Sequence, residues 1–213
     1  MDAALDKRMT LYGNLMEEAK VRIELISQIL QGRGEFHQVV QREFCFLQLR
    51  MLCELVALSC LVAHGDISSL QAHKVGKAYS ADEIMKKLEE LRPDFYPKSI
   101  NSKKTGEKFH EITALDPQPF PKADLLSLYG TTHRYVHRGS LRGLLATDVP
   151  IDTNFNAEGV HRWAQLFVNM LQMHLISIST DRQMICVLRG ADNGQKVTVA
   201  IADAVKPLSP SKP

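Results

Sequence analysis

The sequence predicts a mainly α-helical fold, an antiparallel helical bundle with a short C-terminal β-hairpin. Three observations predict it. Apolar residues recur at steps of three and four over long stretches before residue 178. Turn and cap residues punctuate those stretches at Gly32-Arg33-Gly34, Ser80-Ala81-Asp82-Glu83 and Asn156. From about residue 183 the apolar period falls to two, on either side of Asn193-Gly194. The implied organisation is a bundle over 1–178 with a long loop at about 93–121, a hairpin over 179–204 packed on it, and a disordered tail over 205–213.

Residues 5–31 read as a helix, with Leu15, Ile23, Ile26 and Leu30 supplying much of one apolar side. The next helix, about 35–63, is the best defined. Phe36, Val40, Phe44, Leu47, Met51, Leu55, Leu58 and Val62 trace one face at helical spacing. A second row, Leu49, Cys53, Val56 and Cys60, lies on another side, so this helix is expected at the centre, packed by neighbours. Gly65 is placed to cap its end. Residues 68–79 suit a short helix, and the capping box at Ser80 starts another over about 81–92, stopped by Pro93. Five prolines and the polar run NSKKTGEK make 93–121 a loop or an irregular hairpin. A helix over about 122–137 is bounded by Gly139, and 143–156 is mixed loop. Asn156 caps a long helix over 157–178. The hairpin, about 183–202, turns at Asn193-Gly194 and buries Val197, Val199 and Ile201 on one face.

At 213 residues the chain suits one domain with an appended subelement. A net charge of +2 does not demand a nucleic-acid or anionic-membrane partner. The start, MDAALDKRMT, carries charges where a signal peptide needs an apolar run. The apolar stretch 51–63 is shorter than the ~20 residues of a bilayer span and contains Glu54. A cytoplasmic protein with no membrane partner is expected. The four cysteines form no CxxC or zinc-type spacing and suit buried, reduced thiols. Phosphate loops, a GxSxG elbow and dinucleotide fingerprints are absent from the sequence, so no cofactor is expected.

Two places hold candidate chemistry. On the central helix Glu43, Arg50 and Glu54 fall within about 40° of one another at 100° per residue, flanked by apolar rows. They form either a structural ion pair orienting two helices or the lining of a cleft or dimer interface. The second place is YGTTHRYVHRG, residues 129–139. Leu125, Tyr129, Thr132 and Val136 share an apolar face, with His133 and His137 at its border. Arg134, Arg138 and Arg142 fall on a more exposed side. The histidine pair has i, i+4 spacing but no HExxH or third ligand, so no metal site is expected. General acid–base work suits a histidine, although no nucleophile is evident. The arginines, with Lys103, Lys104 and Lys108, are either a phosphate-binding face or a solvated one, and Tyr135 and Phe109 are the aromatics available for base stacking.

A helical bundle with Val136-His137 and then Gly139 on a late helix resembles the HEPN superfamily. The resemblance implies a four- or five-helix antiparallel bundle, dimerisation through late helices, and cytoplasmic roles in defence. Active members cleave RNA without metal through an arginine and a histidine at the dimer cleft. His137 matches the histidine, whereas Thr132 stands where the motif has arginine. Arg50 is a candidate replacement charge, with Glu54 and His133 as positioning groups. The leading expectation is a non-catalytic interaction or RNA-binding module, a homodimer with RNA or a protein as partner. The alternatives are a metal-independent ribonuclease centred on His137 and a purely structural subunit.

Overall fold

The computed structural model describes residues 3–65, 80–107, 110–136, 154–188 and 196–203. Among them are five helices: α1 (Ala3–Leu30), α2 (Gln38–Ala63), α3 (Ala81–Leu91), α4 (Lys122–Val136) and α5 (Ala157–Leu171). The strands are β1 (Lys98–Lys104), β2 (His110–Ala114), β3 (Met173–Ser177), β4 (Arg182–Val187) and β5 (Thr198–Asp203). The strands form one antiparallel sheet in the order β2-β1-β3-β4-β5. The fold is therefore a helical layer joined to a five-stranded sheet, which corrects the expected bundle with a short hairpin.

The correction has two local causes. The proline-rich stretch that reads as a loop or an irregular hairpin holds β1 and β2, a hairpin whose first strand also pairs with β3 in the larger sheet. Their sequences are polar, and only Ser99 and Ile100 of β1 are buried, so no apolar alternation marks them. Pairing positions them instead: a ladder from Ile100↔Ala114 to Lys104↔His110, and a second contact from Ser99 to His174 on β3. Gln118 pins this corner. Its Oε1 accepts from the Ser99 N–H at 2.7 Å while its Nε2 donates to the Leu115 carbonyl at 2.6 Å. The second cause is the helix expected over 157–178, which ends at Leu171. Apolar residues continue at Met173, Leu175 and Ile176, but from Met173 the chain pairs with β4 as a strand. An apolar run fits either periodicity, and tertiary pairing decides between them.

β4 and β5 pair antiparallel from Arg182↔Asp203 to Val187↔Thr198, as an inner and an edge strand of the larger sheet. The inner face stacks Ser99, His174, Cys186 and Val199 in one row and Ile176, Met184 and Ile201 in the next. This face packs on α1 and α5. At Gly13 of α1 the sheet comes close: a Cβ there would meet Val199 at 3.5 Å. A buried latch joins the layers, with the Tyr12 hydroxyl 2.6 Å from His174 Nε2.

α2 is the central helix, contacted by α1, α3, α4 and α5. Its core face is the second apolar row: Leu49, Cys53, Val56 and Cys60 are fully buried. The more regular first row mostly faces outward. Phe36 is 57% exposed, Val40 47%, Leu47 39% and Leu58 40%, and of that row only Leu55 is buried. α2 is also long and apolar enough to cross a membrane, rather than the shorter 51–63 alone. Yet 61% of its most apolar window is buried inside the protein.

Two caps agree with local sequence, whereas α2 is capped at His64 rather than at Gly65. Gly32 (φ 75°) lets the chain reverse after α1, where the Arg33 N–H reaches the Gln28 carbonyl at 2.9 Å. Asn156 Oδ1 accepts from the Gly159 N–H at 2.8 Å to start α5. Ser80 precedes α3 as expected, although its side chain makes no capping bond. The expected helix at 68–79, the Asn193-Gly194 turn and the tail at 205–213 lie outside the described residues.

Candidate functional site

α2 and α4 run antiparallel, and their seam gathers the polar groups of interest. Residues at steps of four on α2, Arg42, Phe46, Arg50 and Glu54, meet α4 residues of descending number. Phe46 stacks on Tyr135 with centroids 3.8 Å apart. Arg50 meets Tyr129, and Cys53 Sγ approaches the Leu125 carbonyl at 3.8 Å. An i, i+4 series stays on one helix face, so each contact follows from the one before.

At the centre of the seam Arg50, Glu54 and Tyr129 close a ring of contacts. Arg50 Nη2 donates to the Tyr129 hydroxyl at 2.7 Å, and Arg50 Nε pairs with Glu54 Oε1 at 3.2 Å. The Tyr129 hydroxyl in turn donates to the same carboxylate oxygen at 3.3 Å. The guanidinium carbon also lies 4.3 Å from the Tyr129 ring centroid. Burial raises the Tyr129 phenol above its usual range. Arg50 opposes that shift, Glu54 adds to it, and the Ala81 N–H at the start of α3 opposes it. The phenol is therefore protonated at neutral pH and serves as a donor to Glu54. The guanidinium of Arg50 is committed to Glu54 and Tyr129, with side-chain exposures of 21% for Arg50 and 24% for Glu54.

Two helical turns before Arg50, Arg42 is buried at 7% exposure. Its Nη1 donates to the Asn154 carbonyl at 3.4 Å, and its guanidinium carbon lies 5.4 Å from the Tyr135 ring centroid. The sequence alone singles out neither Tyr129 nor Arg42 as a site residue. The missing information was which α4 residue faces which α2 residue. Both helices carry the right spacing, but spacing does not fix their relative register.

The expected site residues are distributed as follows. Arg50 and Glu54 are brought together at the seam. His133 is exposed on the last turn of α4, not at the buried border where wheel arithmetic put it. Tyr135 is the aromatic that turns inward instead. Arg134 is exposed beside His133, while Lys103 and Lys104 are exposed on β1. His137, Arg138, Arg142, Lys108 and Phe109 lie outside the described residues. Among the described residues no three His, Cys, Asp or Glu side chains gather as a metal-ligand set.

All four cysteines are buried thiols. Burial pushes Cys45 and Cys186 up to about 12, and raises Cys53 and Cys60 further. None is poised as a nucleophile. His174 is equally enclosed. Burial lowers it to about 4, so the ring is neutral, with Nδ1 donating to the Leu171 carbonyl at 3.0 Å and Nε2 accepting from Tyr12. No family model matches the chain, and neither a characterised protein nor a solved structure matches it.

Proposed function

We propose that this chain is a non-catalytic interaction module, HEPN-like in its helical half, that presents the open face of α2 to a protein partner. One observation carries the reading. Three large apolar side chains on one face of α2, Val40, Leu47 and Leu58, are each at least 39% exposed, and Phe36, just before the helix, is 57% exposed. A contiguous apolar strip of this kind is characteristic of an interaction surface, whereas scattered apolar side chains are ordinary.

The committed state of Arg50 supports the non-catalytic part. A phosphate-stabilising cation must reach the scissile group, and Arg50 already serves Glu54 and Tyr129. The buried thiols fit a reducing, cytoplasmic setting.

The test is RNA binding and cleavage by purified wild type and His137→Ala, in EDTA and at two salt concentrations. The expected result is intact RNA and no salt-sensitive binding for both proteins. Cleavage that disappears in the variant, with the fold retained, overturns the reading in favour of a metal-independent ribonuclease. Salt-sensitive binding without cleavage overturns it in favour of an RNA-binding module.

A further inference from the structure

We infer that the outer face of the sheet binds a small amphipathic carboxylate, with its apolar body in the curl of the strands and its head beside Lys104 and His110. The inference is independent of α2 and goes beyond the interaction-module reading.

The sheet is apolar on both faces. In an antiparallel sheet packed on one side, apolar inner residues alternate with polar outer ones. Here the outer rows read Leu175, Ile185 and Ala200, then Met173, Val187 and Thr198. Of these only Thr198 is polar, so the alternation that marks a solvated face is missing. Among the described residues the helices that touch the sheet, α1 and α5, lie on its inner side.

The outer face is also concave. A hollow of about 910 Å³ is lined from all five strands, reaching Ile112 on β2 and Ala200 on β5. On a flat sheet those two strands would stand about 19 Å apart, at ~4.8 Å per strand. One hollow spanning them requires the sheet to curl round it. Its floor is Ile100, Met173, Ile185 and Val187, with Ile112 and Ala200 as walls. Ile100 is only 4% exposed, although no described element covers this face.

Size decides between a protein and a small molecule. Five strands of about six residues offer roughly 19 Å by 17 Å, or about 320 Å². A stable protein interface takes about 600 Å² from each side at the least. The volume, by contrast, falls within the ~300–1,000 Å³ of pockets that enclose one small ligand.

Charge sets the head group. Ser102 Oγ and His110 Nδ1 lie 3.0 Å apart at the rim. With the hydroxyl donating to Nδ1, the ring proton is on Nε2 and is offered to an acceptor. Lys104 stands directly opposite His110 in the ladder, on the same face. The two carboxylates that touch the hollow are each matched by a cation. Glu111 lies opposite Lys103 in the ladder, and Asp203 Oδ1 accepts from Arg182 Nε at 3.1 Å. Lys104 and the His110 N–H therefore give this end a cation and a donor, which a carboxylate satisfies together.

The experiment is calorimetric titration of the full chain with decanoate, beside octanoate and decanol. The expected result is one saturable decanoate site per chain, with a Kd of roughly 10–100 μM. Octanoate should bind about tenfold more weakly, because each buried methylene is worth about fourfold. Decanol, with the same chain and no charge, should also bind about tenfold more weakly. Ala200→Phe fills the hollow from an exposed position on β5. It should weaken decanoate binding about tenfold or more, with the circular dichroism unchanged. Lys104→Ser combined with His110→Ser should remove the preference for decanoate over decanol and leave decanol binding as it is.

No saturation by about 1 mM decanoate overturns the proposal. So does a Kd unmoved by Ala200→Phe, or a preference for the carboxylate that survives the double substitution. A self-associated chain that binds no decanoate and is dissociated by Ala200→Phe would assign the face to a second copy, which overturns it as well.

Discussion

Arg50 and Tyr129 are joined twice, by a 2.7 Å hydrogen bond from Nη2 to the phenol oxygen and by the guanidinium lying 4.3 Å from the ring centroid. With Glu54 they hold α2 to α4 at mid-length. Tyr129→Phe keeps the ring contact and removes the hydroxyl that bridges Arg50 to Glu54. The expected cost is about 1 kcal/mol, a typical net hydrogen bond. Arg50→Ala should cost more, because it also leaves Glu54 without its cation in a half-buried seam. Urea unfolding of the two variants checks the order. Equal stability of Arg50→Ala and wild type would remove the triad from the account.

The Tyr12–His174 latch predicts an acid-sensitive stability. His174 is neutral in the folded protein down to about pH 4 and protonates near 6.5 when unfolded. Above 6.5 both states are neutral, and this group gives no pH dependence. Between 6.5 and 4 the unfolded state takes up the proton first, so stability falls as pH falls. Over the whole window the loss is about 3 kcal/mol. Below 4 both states bind the proton and the slope vanishes. Denaturant midpoints measured across this range should show the slope in wild type and lose most of it in His174→Gln.

Buried thiols should be silent in the native protein. At pH 8 a thiol reagent is expected to modify none of the four cysteines until the chain is unfolded, when all four react. Rapid modification of a native cysteine would show that the core around α2 opens readily.

The two faces of α2 should respond differently to truncation. Leu49→Ala, in the fully buried row, is expected to cost about 2–4 kcal/mol of stability. Leu58→Ala, on the open face, is expected to leave unfolding within about 0.5 kcal/mol of wild type. Thermal melts of the two variants check the contrast.

That contrast also marks how much of the molecule is legible in its sequence. The span and central position of α2 follow from its two apolar rows, and the caps at Gly32 and Asn156 follow from residue type. Which row is the core does not. Periodicity reports that a face is apolar and carries no information about what covers it, so the more regular row at Phe36, Val40 and Leu47 reads as core although it is open. β1 and β2 are hidden for a different reason: polar outer strands are defined by their ladder to β3 rather than by their own pattern. At the site, Arg50 and Glu54 announce themselves as charges among apolar neighbours. Tyr129 becomes their partner only once α4 is placed against α2 in a definite register.

The most direct measurement is urea unfolding of Leu47→Asp beside Leu49→Asp, with circular dichroism as the check on folding. The account predicts that Leu47→Asp keeps its helical signal and unfolds within about 0.5 kcal/mol of wild type, because Leu47 lies on the open face of α2, whereas Leu49→Asp, which buries a carboxylate in the core, fails to fold. Equal destabilisation by the two substitutions would contradict it, because the face through Leu47 would then not be open.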